Sequence, residues 1–439
     1  MKRFFFIATM AIMAIGCQKT EIQNEVFKPI GFNTEVGKQT RAIATNGYYE
    51  SQPFAVYAYG WQNGEANDDP VMDNVEIYCE TGAQEKTEST PAVEAVWKAR
   101  GAVNKYYWPN DPETFLNFYA YSPAWNCANT GDTQASPYAN HQKLTFVEAE
   151  GNGVSHDEDN GLKLTNYVHN NMYVDFMVAT PVLRAKYSDQ AGDDKGAKSV
   201  PVEFSHKFTQ VNFTVKIAEQ ESYPDVDFAI NSITLNAIPS QANYVDKTNT
   251  WTLQPEGQVA KLDYVVYPAT TLADANFKNN AEAVVNTVAE GKTGNEVNVI
   301  LRTDSADRNT IEEKVIDENQ QETTQTRTLN AKENPGTSFN TTPVTMIPQN
   351  LAGLTCTIVY TVSGTGVATE TITKTFNLAN GTLTAWAPNM SVRYTLTMSL
   401  NEITFSPSVT TWDDETDVYY DFNDNSENGN LPSTPAQGA

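Results

Sequence analysis

Histidine and cysteine are scarce in this chain, four of each among 439 residues, and the scarcity removes much of the chemistry that a protein of this length could carry. No HExxH sets two imidazoles on one helix face for zinc, and no GxSxG presents a nucleophilic serine. Gly291-Lys292-Thr293 has the ending of a phosphate-binding loop, but Asn286 stands where its first glycine belongs. His156-Asp157-Glu158-Asp159 resembles a metal loop in composition, yet it lacks the alternation and central glycine of a calcium site, so a run of solvated acids describes it better. His206 lies between Phe204 and Phe208 in a strand pattern and reads as a packed, hydrogen-bonded histidine rather than a ligand. The sequence offers no case for an enzyme and calls for no cofactor or metal.

Positive charge is also scarce. Against 54 acidic side chains there are 29 basic ones, a net charge of -25. Nucleic-acid binding depends on Lys and Arg neutralising phosphate, so this balance argues against it. It disfavours anionic membrane surfaces and suits solubility and mutual repulsion at a cell surface.

Long apolar runs are confined to the N-terminus. Met1-Lys2-Arg3 is a basic start, residues 4–15 are apolar or small with Thr9 among them, and Gly16-Cys17 follows. The pattern is a secretory signal, because a membrane span needs roughly 20 apolar residues. The Gly-Cys ending resembles the lipobox of bacterial lipoproteins, with Ala14 where Leu or Val is usual. The expectation is a signal over residues 1–17 and lipidation of Cys17; the alternative is an ordinary cleaved signal. A lipid anchor is then the chain's one attachment to the membrane. Residues 18–25 read as a polar tether. Cys79, Cys127 and Cys356 remain, and three thiols cannot all pair within one chain. They are either buried small hydrophobes or include a Cys79–Cys127 bridge.

What is abundant is Thr, Asn, Val, Tyr and Phe in short runs that alternate or are wholly apolar. These runs cover residues 54–59, 75–79, 115–121, 144–147, 173–179, 208–217, 227–238, 262–267, 298–302, 356–362, 370–376, 392–400, 403–405 and 409–412. Turn chemistry separates them, as at Ser122-Pro123, Gly151-Asn152-Gly153 and Ala379-Asn380-Gly381. Many short strands with such turns predict an all-β chain of sandwiches. The one helix pattern is residues 280–289, with Asn280 as cap and Ala281, Val284, Val285 and Val288 on one face. Residues 186–198 and 304–340 are polar and read as loops, the second a mobile excursion without strands. The best boundary lies near residues 219–223. The seven tryptophans could stack on sugars, though core packing explains most of them.

Taken together, the residues resemble the fimbrillin-like lipoproteins of Bacteroidales. The resemblance rests on an ordered series: the lipobox at Cys17; Ile30-Gly31-Phe32; Thr40-Arg41-Ala42; residues 172–179 (MYVDFMVA); residues 202–211 (VEFSHKFTQV); Arg393-Tyr394-Thr395-Leu396; Ile403-Thr404-Phe405; and Val409-Thr410-Thr411-Trp412. The resemblance implies two tandem transthyretin-like (Greek-key) β-sandwich domains, here 42–220 and 221–422 with the polar loop at 304–340. They are preceded by a tether and removable N-terminal strand (18–41) and followed by a disordered acidic tail (423–439).

It further implies a fimbrial subunit in the outer membrane, surface-exposed, that partners other fimbrial subunits. A trypsin-like, Arg-specific protease cuts between Arg41 and Ala42, and the loss of the first strand opens a groove. A neighbour's C-terminal strand fills that groove, the donor candidates being Ile403, Phe405, Val409, Trp412, Val418, Tyr420 and Phe422. Residues 26–36 carry Phe27, Ile30 and Phe32, enough for a strand with one apolar face, and residues 37–42 form the polar linker that proteases prefer. Arg327, in the 304–340 segment, is a competing site. The alternative is a monomeric or anchor-type lipoprotein adhesin that binds a glycan or host protein without polymerising.

Overall fold

The computed structural model describes residues 28–36, 52–62, 65–81, 95–100, 106–111, 113–127, 143–157, 161–187, 199–218, 225–255, 257, 259–268, 299–303, 310–316, 322–329, 335–400 and 403–412. The signal and Cys17, the cleavage pair Arg41 and Ala42, the helix expected at 280–289 and the tail with Val418, Tyr420 and Phe422 lie outside these residues.

Every regular element of length is a strand. In chain order these are β1 (Phe32–Val36), β2 (Phe54–Gln62), β3 (Glu65–Thr81), β4 (Val96–Ala99), β5 (Phe115–Ser122), β6 (Thr145–Phe146), β7 (Gly153–Asp157) and β8 (Gly161–Val168). Then come β9 (Met177–Ala179), β10 (Val182–Ala185), β11 (Val200–His206), β12 (Thr209–Ile217), β13 (Val226–Pro239), β14 (Gln241–Val245), β15 (Thr250–Leu253) and β16 (Lys261–Tyr267). The last are β17 (Ile300–Leu301), β18 (Thr310–Ile316), β19 (Glu322–Thr328), β20 (Ser338–Asn340), β21 (Val344–Met346), β22 (Thr355–Gly364), β23 (Val367–Asn377), β24 (Met390–Met398) and β25 (Ile403–Thr411). The chain is all-β, as composition and alternation predict. The segments expected as separate strands at 403–405 and 409–412 are one strand, β25. The segment 304–340 is corrected: it carries β18 and β19, paired with each other as a hairpin, and β20, which pairs with β12. Strand β19 is Thr-rich and has the β propensity, and the two strands pair from Thr310↔Thr328 to Ile316↔Glu322.

The first large sheet runs β10-β5-β2-β3-β4-β1-β11-β9, and a β5–β9 pairing closes it. Alternation decides its two faces. In β2, Phe54, Val56 and Ala58 point inward, where Phe32, Trp97, Leu116, Phe118, Val202 and Phe204 meet them. Ala55 and Tyr57 point outward into a second core, with Tyr121, Val178, Leu164, Tyr167 and Tyr244. That second core is covered by a sheet of order β15-β14-β8-β6, to which β7 adds through β8.

The third core lies between sheets β20-β12-β24-β25 and β16-β13-β22-β23. Strand β12 runs parallel to β24 over its full length, and Val211, Phe213, Val215 and Ile217 face inward with Val392, Tyr394, Leu396 and Met398. The long strand β13 keeps its apolar side on this core by two changes of register. Phe228 and Ile230 precede a bulge at residue 231, Ile233 and Leu235 follow it, and Ile238 comes after a second irregularity. Each inserted residue flips the alternation back into phase. At its base, Arg302, 2 % exposed as a side chain, donates from Nε to Asp227 Oδ1 at 2.8 Å and from a terminal nitrogen to Oδ2 at 2.8 Å.

After Ser240 the chain leaves this sandwich and becomes β14, which pairs with β8. Strands β14 and β15 therefore complete a sheet begun by residues 145–168. The boundary expected near residue 220 falls between β12 and β13, both of which line the third core. The division of the cores does not follow it. The interlock passes through His169, which is 1 % exposed. Its Nε2–H donates to the Thr345 carbonyl at 2.6 Å, its Nδ1 accepts from the Tyr167 hydroxyl at 2.9 Å, and its backbone N–H donates to the Ser240 carbonyl at 2.7 Å.

Burial holds the His169 imidazole down at about 4, against its ordinary 6.5. The folded protein keeps it neutral, while the unfolded chain takes up a proton as pH falls below 6.5. Its contribution of roughly 3 kcal/mol is complete above pH 6.5 and lost as pH falls towards 4. In urea unfolding, the stability advantage of wild type over His169→Gln shrinks steadily from pH 6.5 to 4.5; a constant difference refutes this.

Candidate functional site

Sequence reasoning placed the functional elements at the two ends of the chain, and both ends of the described protein are strands whose attachment can be read in detail. The N-terminal one, β1, is a stave of the closed first sheet. It pairs in parallel with β11 from Phe32↔Val200 to Val36↔Phe204, and antiparallel with β4 at Phe32↔Trp97. Just before it, the Ile30 N–H donates to the Tyr106 carbonyl at 2.8 Å, the Trp108 N–H to the Lys28 carbonyl at 2.9 Å, and the Val200 N–H to the Gly31 carbonyl at 2.8 Å. Gly31 sits close against its neighbour, where an added Cβ would come within 3.3 Å of Ser199 Oγ.

The strand is held mainly by its apolar side. Ile30 is 7 % exposed and Phe32 2 %. The Phe32 ring stands edge-on to Phe54 at 6.0 Å and to Phe118 at 6.0 Å, inside the first core. Burying such a ring contributes about 1.5–3 kcal/mol. Taking β1 away uncovers Phe54, Trp97, Phe118 and Val202 and strips the facing edges of β4 and β11 of their backbone partners. The arrangement can therefore do one thing chemically: bind an extended segment that offers alternate large apolar side chains and a free backbone ladder.

The C-terminal strand β25 is the outer member of its sheet and pairs antiparallel with β24 from Met390↔Thr411 to Met398↔Ile403. Its packing is uneven. Ile403 and Phe405 are half-buried and Val409 is 47 % exposed. Phe405 stacks on Tyr394 at 4.9 Å and on Phe376 at 5.1 Å, and its carbonyl accepts from Asn380 Nδ2 at 2.7 Å. Trp412, 3 % exposed, belongs to a different core. Its ring lies on the His206 imidazole at 3.9 Å with planes 6° apart, and His206 Nδ1 meets Asp175 Oδ1 at 3.0 Å. His206 is thus the packed, hydrogen-bonded residue that its strand pattern predicts. It sits at the end of β11, the strand that also carries β1, so both chain ends reach one element.

Of the donor candidates, the structure brings Ile403, Phe405 and Val409 together on β25 and sets Trp412 into the second core. The sequence missed the His169–Tyr167–Thr345 and Arg302–Asp227 contacts, since both join residues far apart along the chain; the apolar Ile300-Leu301 before Arg302 was the only local signal. His156 is packed among Tyr57, Tyr59 and Tyr119, with ring centres 5.5, 5.1 and 4.1 Å away, and burial lowers it to about 4. Cys79, Cys127 and Cys356 form no disulfide with one another, so the Cys79–Cys127 bridge is not made.

In urea unfolding of the intact chain, Phe32→Ala and Trp412→Ala each cost about 3–5 kcal/mol, whereas Val409→Ala stays within about 0.5 kcal/mol. Equal losses for Trp412→Ala and Val409→Ala would show that the end of β25 is not anchored as described.

Comparison with known proteins supplies the family. No curated protein matches the chain. Among solved structures, a fimbrial protein of Bacteroides vulgatus is similar at 14% identity over 87% of this chain and 99% of its own, with a TM-score of 0.43. A protein of Bacteroides uniformis named for cell adhesion is similar at 13% identity over 88% and 98%, with a TM-score of 0.40. The tip fimbrial protein Mfa3 of Porphyromonas gingivalis, truncated at its C-terminus, is similar at 10% identity over 82% and 94%, with a TM-score of 0.26. The assignment rests instead on the fimbrillin-like family itself, which matches residues 40–412, most of the chain. The chain belongs to the fimbrillin-like family.

Proposed function

We propose that this protein is a structural subunit of a surface fimbria, assembled by protease-triggered strand exchange and serving cell adhesion. Family membership implies the cell surface and assembly with other fimbrial subunits. The observation that carries the finer reading is the seat of β1. It is a stave with a buried Phe32, it joins its principal neighbour in parallel, and it lies outside the family match, which begins at residue 40.

In this reading the precursor is exported under the signal at residues 1–17 and anchored to the outer membrane by lipid on Cys17. A trypsin-like protease cuts after Arg41, and residues 18–41 leave with β1. The opening between β4 and β11 then takes a C-terminal strand from the next subunit. One subunit's tail in the next subunit's groove is a heterologous contact that does not close, and it yields a filament. We keep the two tandem transthyretin-like sandwiches, 42–220 and 221–422, as the proposed family arrangement, with sheet β15-β14-β8-β6 shared between them.

One observation favours the second reading, a monomeric or anchor-type adhesin binding a glycan or host protein. Strand β25 already pairs with β24 of its own chain, and Trp412 is buried. Donation of β25 breaks those contacts, while donation of the segment beyond Trp412, with Val418, Tyr420 and Phe422, leaves them intact.

Mass spectrometry of the surface-exposed protein from its native cell, beside a gel of unboiled sample, separates the readings. A mature N-terminus at Ala42 with an SDS-resistant ladder, both lost in Arg41→Ala, is the expected result. A lipidated Cys17 terminus and a single monomer band would sink the polymerising reading and support the second.

A further inference from the structure

The outward face of the closed sheet carries a group of side chains that neither core uses. Trp61 on β2 and Phe115 on β5 are directly paired across the two strands, so their side chains emerge on one face. Both are half-buried. From the next strand, Arg184 on β10 brings its guanidinium carbon to 5.4 Å from the Trp61 ring centre and 5.1 Å from that of Phe115. Lys186 places its Nζ 5.4 Å from the Phe115 centre. Arg184 and Lys186 are exposed, and Leu183 beside them is 59 % exposed.

Three features separate this group from ordinary surface. The backbone is bent to present Arg184: its φ is 55°, register slips between Val182 and Ala185, and its N–H donates to Asn117 Oδ1 at 2.7 Å. A non-glycine residue in the left-handed region is held there only when its surroundings over-determine it. Second, in a chain of net charge -25, Arg184 forms no ion pair with any described carboxylate. Its fork of N–H donors, suited to a planar carboxylate, is turned to aromatic rings. Third, Arg184 lies within cation–π range of both rings and Lys186 within range of Phe115, so the aromatic and cationic side chains form one cluster.

We propose that Trp61, Phe115, Arg184 and Lys186 form a binding site for an acidic glycan, with the carboxylate of a uronic-acid-type sugar on the Arg184 fork, Lys186 as second cation, and the apolar face of a pyranose on the rings. A glycan suits the site better than an acidic peptide strand. Strand β2 is paired on both sides, by β3 and β5, and β5 by β2 and β10, so no backbone ladder is open at the rings. At the rings themselves recognition uses side chains, two aromatic groups with a cationic border. The site does not depend on strand exchange, and it stands whether the chain polymerises or not.

The test is calorimetric titration of the full mature chain with an oligogalacturonate, with neutral cello-oligosaccharide of equal length and with a short poly-glutamate. The expected result is binding of the oligogalacturonate alone. Arg184→Gln weakens it at least tenfold, Arg184→Lys less so, and 0.5 M salt suppresses it. Trp61→Ala abolishes it, and Arg184→Gln, an exposed change with unaltered circular dichroism, keeps the test valid if Trp61→Ala does not fold. Absence of oligogalacturonate binding, binding unchanged in Arg184→Gln, or equal binding of poly-glutamate each overturns the proposal.

Discussion

The closure of the first sheet requires a strand between β4 and β11, and β1 supplies it from the other end of the sequence. Five parallel register pairs hold it to β11 and one bridge to β4. Everything in that half is organised by the closure. The inward residues of β2, β5 and β11 form a core because the sheet wraps round them, and the outward residues are left to the smaller sheet. A closed sheet has no edges to defend. Within that closure β1 is held by its backbone ladder and a short apolar side, which is the basis of the proposal that it leaves on processing.

The second half is ordered by a different constraint, the need of one long strand to serve two sheets. Strand β13 twice inserts a residue to keep Phe228, Ile230, Ile233, Leu235 and Ile238 on the same core. It then passes through the fully buried Ser240 into β14. Because β14 pairs with β8, the two halves cannot be pulled apart along the sequence. His169 and Trp412 close the seam from opposite directions, one by hydrogen bonds to both halves and one by laying its indole on His206. Both ring nitrogens of His169 are hydrogen-bonded at this seam, as buried polar atoms usually are where water is excluded.

Electrostatics supports a surface role without defining a site. The excess of acids keeps copies apart until a specific contact forms. Against that field an exposed cation with no ion pair among the described residues is informative, and Arg184 is such a cation. The face carrying Trp61 and Phe115 belongs neither to the β1 seat nor to β25, so under the proposed assembly it stays available for other contacts.

Alternation and turn chemistry alone determined that the chain is all-β and located most of its longer strands, since period two is a local property of β2, β5, β12, β22 and β24. The roles of His206 and of most tryptophans were legible for the same reason: a large ring flanked by strand residues packs. The run at 304–340 was misread because its strands, Thr310–Ile316 and Glu322–Thr328, lie in a stretch dominated by Glu, Thr and Gln, where the apolar alternation is weak. The proposed cleavage pair Arg41 and Ala42 and the proposed lipidation at Cys17 are readings of sequence and lie outside the described residues. Tertiary structure alone decided that Phe32 closes a ring, that β14 returns to the first half, and that Trp412 rests on His206. Each depends on residues more than seventy positions apart meeting, and nothing in local periodicity encodes such a meeting.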